Sequence, residues 1–207
     1  FGGVTELKFT EDWYPPKKQQ RLRQAIAATP QTSGAIVEIG CWEGQSTTVI
    51  TNGFAPEIIH CVDHWKGDLT NPHSGVAAKA SERDVHAQFQ INMQEGTAGN
   101  YVTHNCDWAV WAKSWTEPIR FLHLDAEHTY DQVTAQLRWA ETSLTEIAVI
   151  CGDDFNQGSV GEAVMDHTGL TRPQLRLPGP GSSNVWATSV RGTKCYPLHE
   201  LPRSGEF

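Results

Sequence analysis

Acidic residues close the apolar runs of this sequence one after another. "IVEIG" carries Glu38, "HCVD" ends in Asp63, "FLHLD" in Asp125, and "AVICGDD" in Asp153 and Asp154. His128 follows shortly after Asp125 in "LDAEHTY". Carboxylates gathered at one place repel one another, so a group of them calls for a positive partner. Oxygen donors of this hardness suit Mg²⁺ best, with Mn²⁺ and Ca²⁺ behind it, which makes Asp125, Asp153 and Asp154 candidate metal ligands. Imidazole titrates near neutral pH, so His128 is a candidate base for a substrate hydroxyl. Each has a plainer alternative: the aspartate pair as turn formers before a loop, and His128 as a partly exposed residue at a helix start.

An alternation of β-rich and helical segments positions these residues. A helix is predicted over Pro16–Ala28, a strand over Ala35–Ile39, a helix from Ser46 to about Gly53, and a strand over Ile58–Val62. After a polar stretch, Ser81 and Asp84 are read as a capping box for a helix with Val85, Phe89 and Met93 inward. A short strand (Tyr101–Thr103), a helix (Asp107–Trp115) and a strand (Phe121–Leu124) follow. Tyr130, Val133, Leu137 and Leu144 share the next helical face, before a strand at Ile147–Ile150 and a helix at Val160–Met165. Leu175–Leu177 and Val185–Val190 read as an antiparallel pair around "PGPGSSN". Strands alternating with helices mean right-handed crossovers. The expected fold is therefore α/β: a Rossmann-like, doubly wound, mostly parallel seven-stranded sheet with a C-terminal antiparallel pair. Function in such sheets collects at the carboxyl ends of the strands, where the acids lie.

The 207 residues suffice for one domain, expected as a helical extension (1–34), a core (35–195) and a tail (196–207). Net charge is −8 and no Lys/Arg cluster interleaves with aromatics, which argues against a nucleic-acid partner. The five cysteines are odd in number and none are at C-x-x-C spacing, so neither a disulfide framework nor a zinc ribbon is indicated. No apolar run reaches membrane-spanning length and no signal-peptide pattern opens the sequence, so a cytoplasmic protein without a membrane partner is expected. Homo-oligomerisation stays open.

Glu38, Gly40 and Gly44 form E-x-G-x-x-x-G after the first strand. A dinucleotide fingerprint would need glycine where Trp42 and Gln45 stand, which disfavours NAD. Alone, the loop is equally a simple strand-to-helix turn. With Asp63 ending the next strand, it resembles motif I of the class I S-adenosylmethionine-dependent methyltransferases. That resemblance implies that Glu38, Gly40 and Gly44 make the cofactor loop, that Asp63 meets the ribose hydroxyls, and that Asp107 and Trp108 lie at the adenine. Trp108 also belongs to a stripe with Trp111 and Trp115 of the kind that packs in cores, which favours Asp107.

"VEIGCWEGQST", "VDHWKGD", "LDAEHTYDQV" and "GDDF" together resemble a narrower group: the metal-dependent sugar O-methyltransferases of macrocin and mycinamicin type and the cephalosporin-hydroxylase-like proteins. The resemblance implies Mg²⁺ (or Mn²⁺) on Asp125, Asp153 and Asp154, with His128 as base. Asp153 departs from the group, where Glu is frequent. The function implied is O-methylation of a small-molecule hydroxyl, on a sugar or another secondary metabolite. Two alternatives are a metal-dependent hydrolase or transferase that does not use S-adenosylmethionine, and a non-catalytic cofactor-binding module. The long polar segment from Lys66 to Ala80 reads as a lid.

Overall fold

The computed structural model describes residues 7–68, 74–179 and 184–198. Its strands are β1 (Ala35–Ile39), β2 (Ile59–Asp63), β3 (Tyr101–Asn105), β4 (Ile119–Leu124), β5 (Leu144–Gly152), β6 (Trp186–Arg191) and β7 (Lys194–Pro197). They form one seven-stranded sheet in the order β3-β2-β1-β4-β5-β6-β7. The first five pair in parallel, β6 runs antiparallel to β5, and β7 antiparallel to β6. Every residue of β1 and β4 is buried, as expected of central strands covered on both faces. The strand order reverses between β1 and β4, and the crevice beyond their carboxyl ends is where a doubly wound sheet takes its ligand.

Two apolar layers flank the sheet. On one face, α1 (Pro16–Ala28) and α2 (Gln45–Phe54) pack Leu22, Ile26, Ile50 and Phe54 against Phe121, and α4 (Val85–Gly96) adds Phe89 and Met93. On the other, α5 (Trp108–Ala112), α6 (Tyr130–Ser143) and α7 (Gly158–Thr168) pack Trp111, Val133, Leu137 and Val164 against Val37, Leu122 and Ile150. Pro16 opens α1, where a missing N–H costs nothing, and Thr129 caps α6 by accepting from Gln132 N.

Several local expectations are corrected. Leu144 leaves the helical face and begins β5, because α6 ends at Ser143. Asp84 alone caps α4 through Ala87 N, while Ser81 belongs to an additional helix, α3 (Gly75–Glu82), inside the polar segment. The late hairpin turns at Gly192, not at "PGPGSSN". Residues 172–175 are helical (α8), and only an isolated bridge joins Arg176 to Trp186. Positions 180–183 and 199–207 lie outside the described residues, as do 69–73 of the expected lid.

At the β2–β3 edge the rings of His60 and His104 stack, with Nδ1 of the first 3.0 Å from Nε2 of the second. Burial lowers the pKa of both, and His60 lowers that of His104 further. Above the unfolded value, about 6.5, both states are neutral and the full stability is present. Below it the unfolded chain takes up protons first, so stability falls with falling pH. His104→Asn is expected to flatten the drop in urea midpoint between pH 7.5 and 5.5, and an unchanged drop would refute the assignment.

Candidate functional site

The turn after β1 brings two strand ends very close together. Gly40, at φ +90°, has room for no side chain: a Cβ there would stand 2.2 Å from the carbonyl oxygen of Asp125 at the end of β4. Backbone bonds seal the junction, with Asp125 N donating to Ile39 O at 2.8 Å and Gly40 N to Val62 O at 2.9 Å. Gly44, at φ +88°, forms the N-cap of α2 against Phe89 and Met93. Asp63 ties the end of β2 to this loop. One of its oxygens accepts from Cys41 N (2.8 Å) and Trp42 N (2.9 Å), and the other accepts from Trp65 N (2.6 Å). The carboxylate is thereby held facing the crevice, with acceptor capacity left on the second oxygen.

A cavity of about 570 Å³ opens there, within the usual range for small-molecule sites. Gly40, Asp63, Trp108, Asp125, His128, Asp153 and Asp154 all line it. Glu38, Gly44 and Asp107 do not. Glu38 is wholly buried behind the loop, accepting from Ser46 Oγ at 2.5 Å and standing 3.1 Å from His123 Nδ1. The other ring nitrogen of His123 lies 3.3 Å from the Tyr14 hydroxyl, so the glutamate belongs to an internal polar chain. Asp107 caps α5 through Ala109 N and Val110 N. The neighbouring Trp108 faces the cavity instead, its indole N–H donating to Glu127 at 3.2 Å.

The acids at the ends of β4 and β5 all line this cavity, with Asp153 and Asp154 close enough to Asp125 to act on its charge. Ligand atoms of Asp125, His128 and Asp154 lie within 4.8 Å of one another. Asp153 is ion-paired with Lys18 from the first turn of α1. Asp154 adopts φ +56°, a left-handed conformation tolerated by aspartate, and its carboxylate stands 2.8 Å from His128 Nε2. This hydrogen bond raises the His128 pKa against the opposing effect of burial. Burial also pushes Asp154 upward, but His128, Gln157 and Lys18 outweigh it and hold the acid below the usual range. Burial, then Asp153 and Asp154, push Asp125 well above the usual range, with Lys18 opposing. Ligand atoms across a small divalent ion stand about 4.2 Å apart. The Asp125, His128 and Asp154 set therefore fits such an ion after small rotations, and among the described residues Asp125 forms no ion pair of its own.

The N-terminal segment supplies the remaining wall. Phe9, Glu11, Trp13, Tyr14 and Lys18 line the cavity, with Trp13 packed on Trp42 at 5.3 Å between ring centres. Thr10 donates to the buried Glu43 through its N–H (2.6 Å) and hydroxyl (2.8 Å), and Tyr14 N donates to Gln45 at 2.8 Å. Sequence reading missed these residues, because no local pattern marks a lysine that meets its partner across the whole fold. From the polar segment after β2, Gly67, Asp68, Ser74 and Val76 reach the same cavity.

Among known proteins, a methyltransferase-domain family matches residues 37–155. No curated protein matches the chain by sequence. Among solved structures it is similar to the O-methyltransferase NovP, with a TM-score of 0.58 and 13% identity over 84% of this chain and 80% of that one. It is similar to the O-methyltransferase TomG from Streptomyces achromogenes, involved in tomaymycin synthesis and solved in complex with S-adenosylmethionine (TM-score 0.58, 13% identity, 90% and 82% covered). It is also similar to CalS11, a TDP-rhamnose 3'-O-methyltransferase of calicheamicin biosynthesis (TM-score 0.54, 16% identity, 81% and 77% covered). At such identities the likeness is one of fold.

Gly40→Ala forces a clash with backbone and an unfavourable φ, so it is expected to destabilise the chain by about 3 kcal/mol or more in urea titrations. Gly158→Ala, with nothing within 4 Å of the added carbon, is the matched control and is expected to be nearly neutral. Equal midpoints for the two variants would contradict the close approach of β1 and β4.

Proposed function

The chain belongs to the methyltransferase-domain family of class I S-adenosylmethionine-dependent enzymes, and from that premise we propose that it methylates a hydroxyl of a small molecule with the help of a divalent cation. The observation that carries this reading is that the Asp63 loop and the Asp125, His128 and Asp154 cluster open into one cavity. A methyl donor on the loop and an acceptor at the cluster would then face each other over the β1–β4 junction.

Asp63 would hold the ribose hydroxyls of S-adenosylmethionine through its available acceptor capacity. Gly40 leaves space for the methionine part, and Trp108 offers an apolar wall for the adenine. Gly44 shapes the loop from behind, and Glu38 supports it through Ser46 and His123 without reaching the cavity. Asp107 acts from the cap of α5. Mg²⁺ or Mn²⁺ in the cluster would acidify a coordinated hydroxyl and fix its direction. An acidified hydroxyl loses its proton readily, and His128, hydrogen-bonded to Asp154 within the cluster, would take that proton unless it binds the cation itself. Overall, the acceptor oxygen bonds to the methyl carbon as the carbon–sulfur bond breaks, and one proton is released. Holding both partners in near-attack geometry supplies much of the rate.

A sugar or other secondary-metabolite hydroxyl is the acceptor class in this reading, supported by CalS11, a TDP-rhamnose 3'-O-methyltransferase, and by TomG, involved in tomaymycin synthesis. The acid-rich lining suits a neutral acceptor better than a nucleic-acid backbone. No helix among the described residues is long and apolar enough to cross a membrane.

Calorimetry with S-adenosylhomocysteine tests the assignment. Asp63→Ala is expected to weaken binding about ten- to a hundredfold, the worth of hydrogen bonds to a charged group. Asp125→Asn is expected to leave binding within about threefold. A wild-type protein that binds neither S-adenosylmethionine nor its demethylated product would refute the proposal.

A further inference from the structure

We propose that Lys18 withdraws Asp153 from the cation's ligand set, leaving a mixed carboxylate–imidazole site of Asp125, His128 and Asp154 that selects Mn²⁺ over Mg²⁺. The inference rests on the reading above that this cavity takes a divalent cation.

Lys18 does not arrive on a loose arm. It projects from the first turn of α1, whose Leu22, Ala25 and Ile26 are buried in the core. The segment ahead of α1 is pinned by Tyr14 N donating to Gln45 (2.8 Å) and by Gln19 donating to Tyr14 O (3.0 Å). The Lys18 side chain is only 17% exposed, and its ammonium lies 5.6 Å from the centre of the Tyr14 ring. It pairs with one oxygen of Asp153, while the other oxygen, Oδ1, is buried without a hydrogen-bond partner. Asp153 itself is 5% exposed, so this orphaned acceptor points to a missing donor in the cavity, such as a cation-bound water or an acceptor hydroxyl. His128 takes the place the sequence had suggested for Asp153, with a ring nitrogen inside the same 4.8 Å group as the two remaining acids.

Charge accounting favours one divalent ion. Three carboxylates are balanced by the Lys18 ammonium and one dication when His128 is neutral. Chemistry then decides which ion. Mg²⁺ demands oxygen donors in near-ideal octahedral geometry, whereas Mn²⁺, which shares its preference for carboxylates, accepts an imidazole nitrogen and a less regular geometry more readily.

The probe is Mn²⁺ itself, followed by electron paramagnetic resonance on the full chain, with Mg²⁺ as competitor. The wild-type protein is expected to show spin-echo modulation from a directly bound nitrogen and to bind Mn²⁺ at least about tenfold more tightly than Mg²⁺. Lys18→Met frees Asp153 and is expected to tighten Mg²⁺ about tenfold, narrowing the preference. His128→Gln, at a side chain 40% exposed and so tolerant of change, is expected to erase the nitrogen signal and loosen Mn²⁺ more than Mg²⁺. It carries the test should Lys18→Met fail to fold, and it separates His128 from His64, which lines the same cavity. Mn²⁺ bound without a nitrogen signal, or a signal that persists in His128→Gln, overturns the inference while leaving the proposed function standing. Binding of S-adenosylhomocysteine with no binding of either cation removes the cation from the proposed function and this inference with it.

Discussion

Like-charge repulsion at one sheet edge is the constraint on which the rest of the arrangement depends. Asp125, Asp153 and Asp154 end two adjoining parallel strands, so the topology itself brings them together. In a buried setting such groups keep their charge only when cations stand close by. The fold supplies Lys18 from α1 and His128 from the turn between β4 and α6, each to a different aspartate. That requirement explains why α1 must dock on the same layer as α2, since the helix delivers a charge as well as apolar area. Two other acids near the loop find partners within the protein. Glu43 is held by Arg83 at 3.0 Å and by Thr10, and Glu38 by Ser46 and His123. Asp125 has no ion pair of its own among the described residues.

The central strands were legible because β1 and β4 are buried on both faces and therefore read as unbroken apolar runs. The glycine loop and Asp63 were legible because a tight turn and a strand-ending acid are local features. Elsewhere, partners distant in sequence decided the outcome. Leu144 fits a helical face as well as a strand start, and pairing with Ile119 chose the strand. Asp107 and Trp108 were ranked by a tryptophan stripe that does pack in the core at Trp111, but the stripe says nothing of how α5 is capped. Glu38 looked like one more acid on the edge. Its position midway in a fully buried strand, paired with Cys61 on one side and His123 on the other, turns it into the core. Lys18 carried no signal at all, because its meaning exists only once α1 lies beside the end of β5.

One residue joins the two halves of the cavity mechanically. The backbone carbonyl of Asp125 occupies the space a side chain on Gly40 would need, while its own side chain belongs to the acid cluster. Its N–H is bonded to Ile39, and the next strand end follows through Asp153 N donating to Leu124 O at 3.3 Å. The loop, β4 and β5 are therefore laced in series at the switch point, with little freedom to drift apart. Transfer between two bound partners is sensitive to their alignment at the level of an ångström. A scaffold in which one aspartate sets both the glycine turn and one corner of the acid cluster would keep that alignment through covalent and hydrogen-bonded geometry, without relying on side-chain packing that could relax.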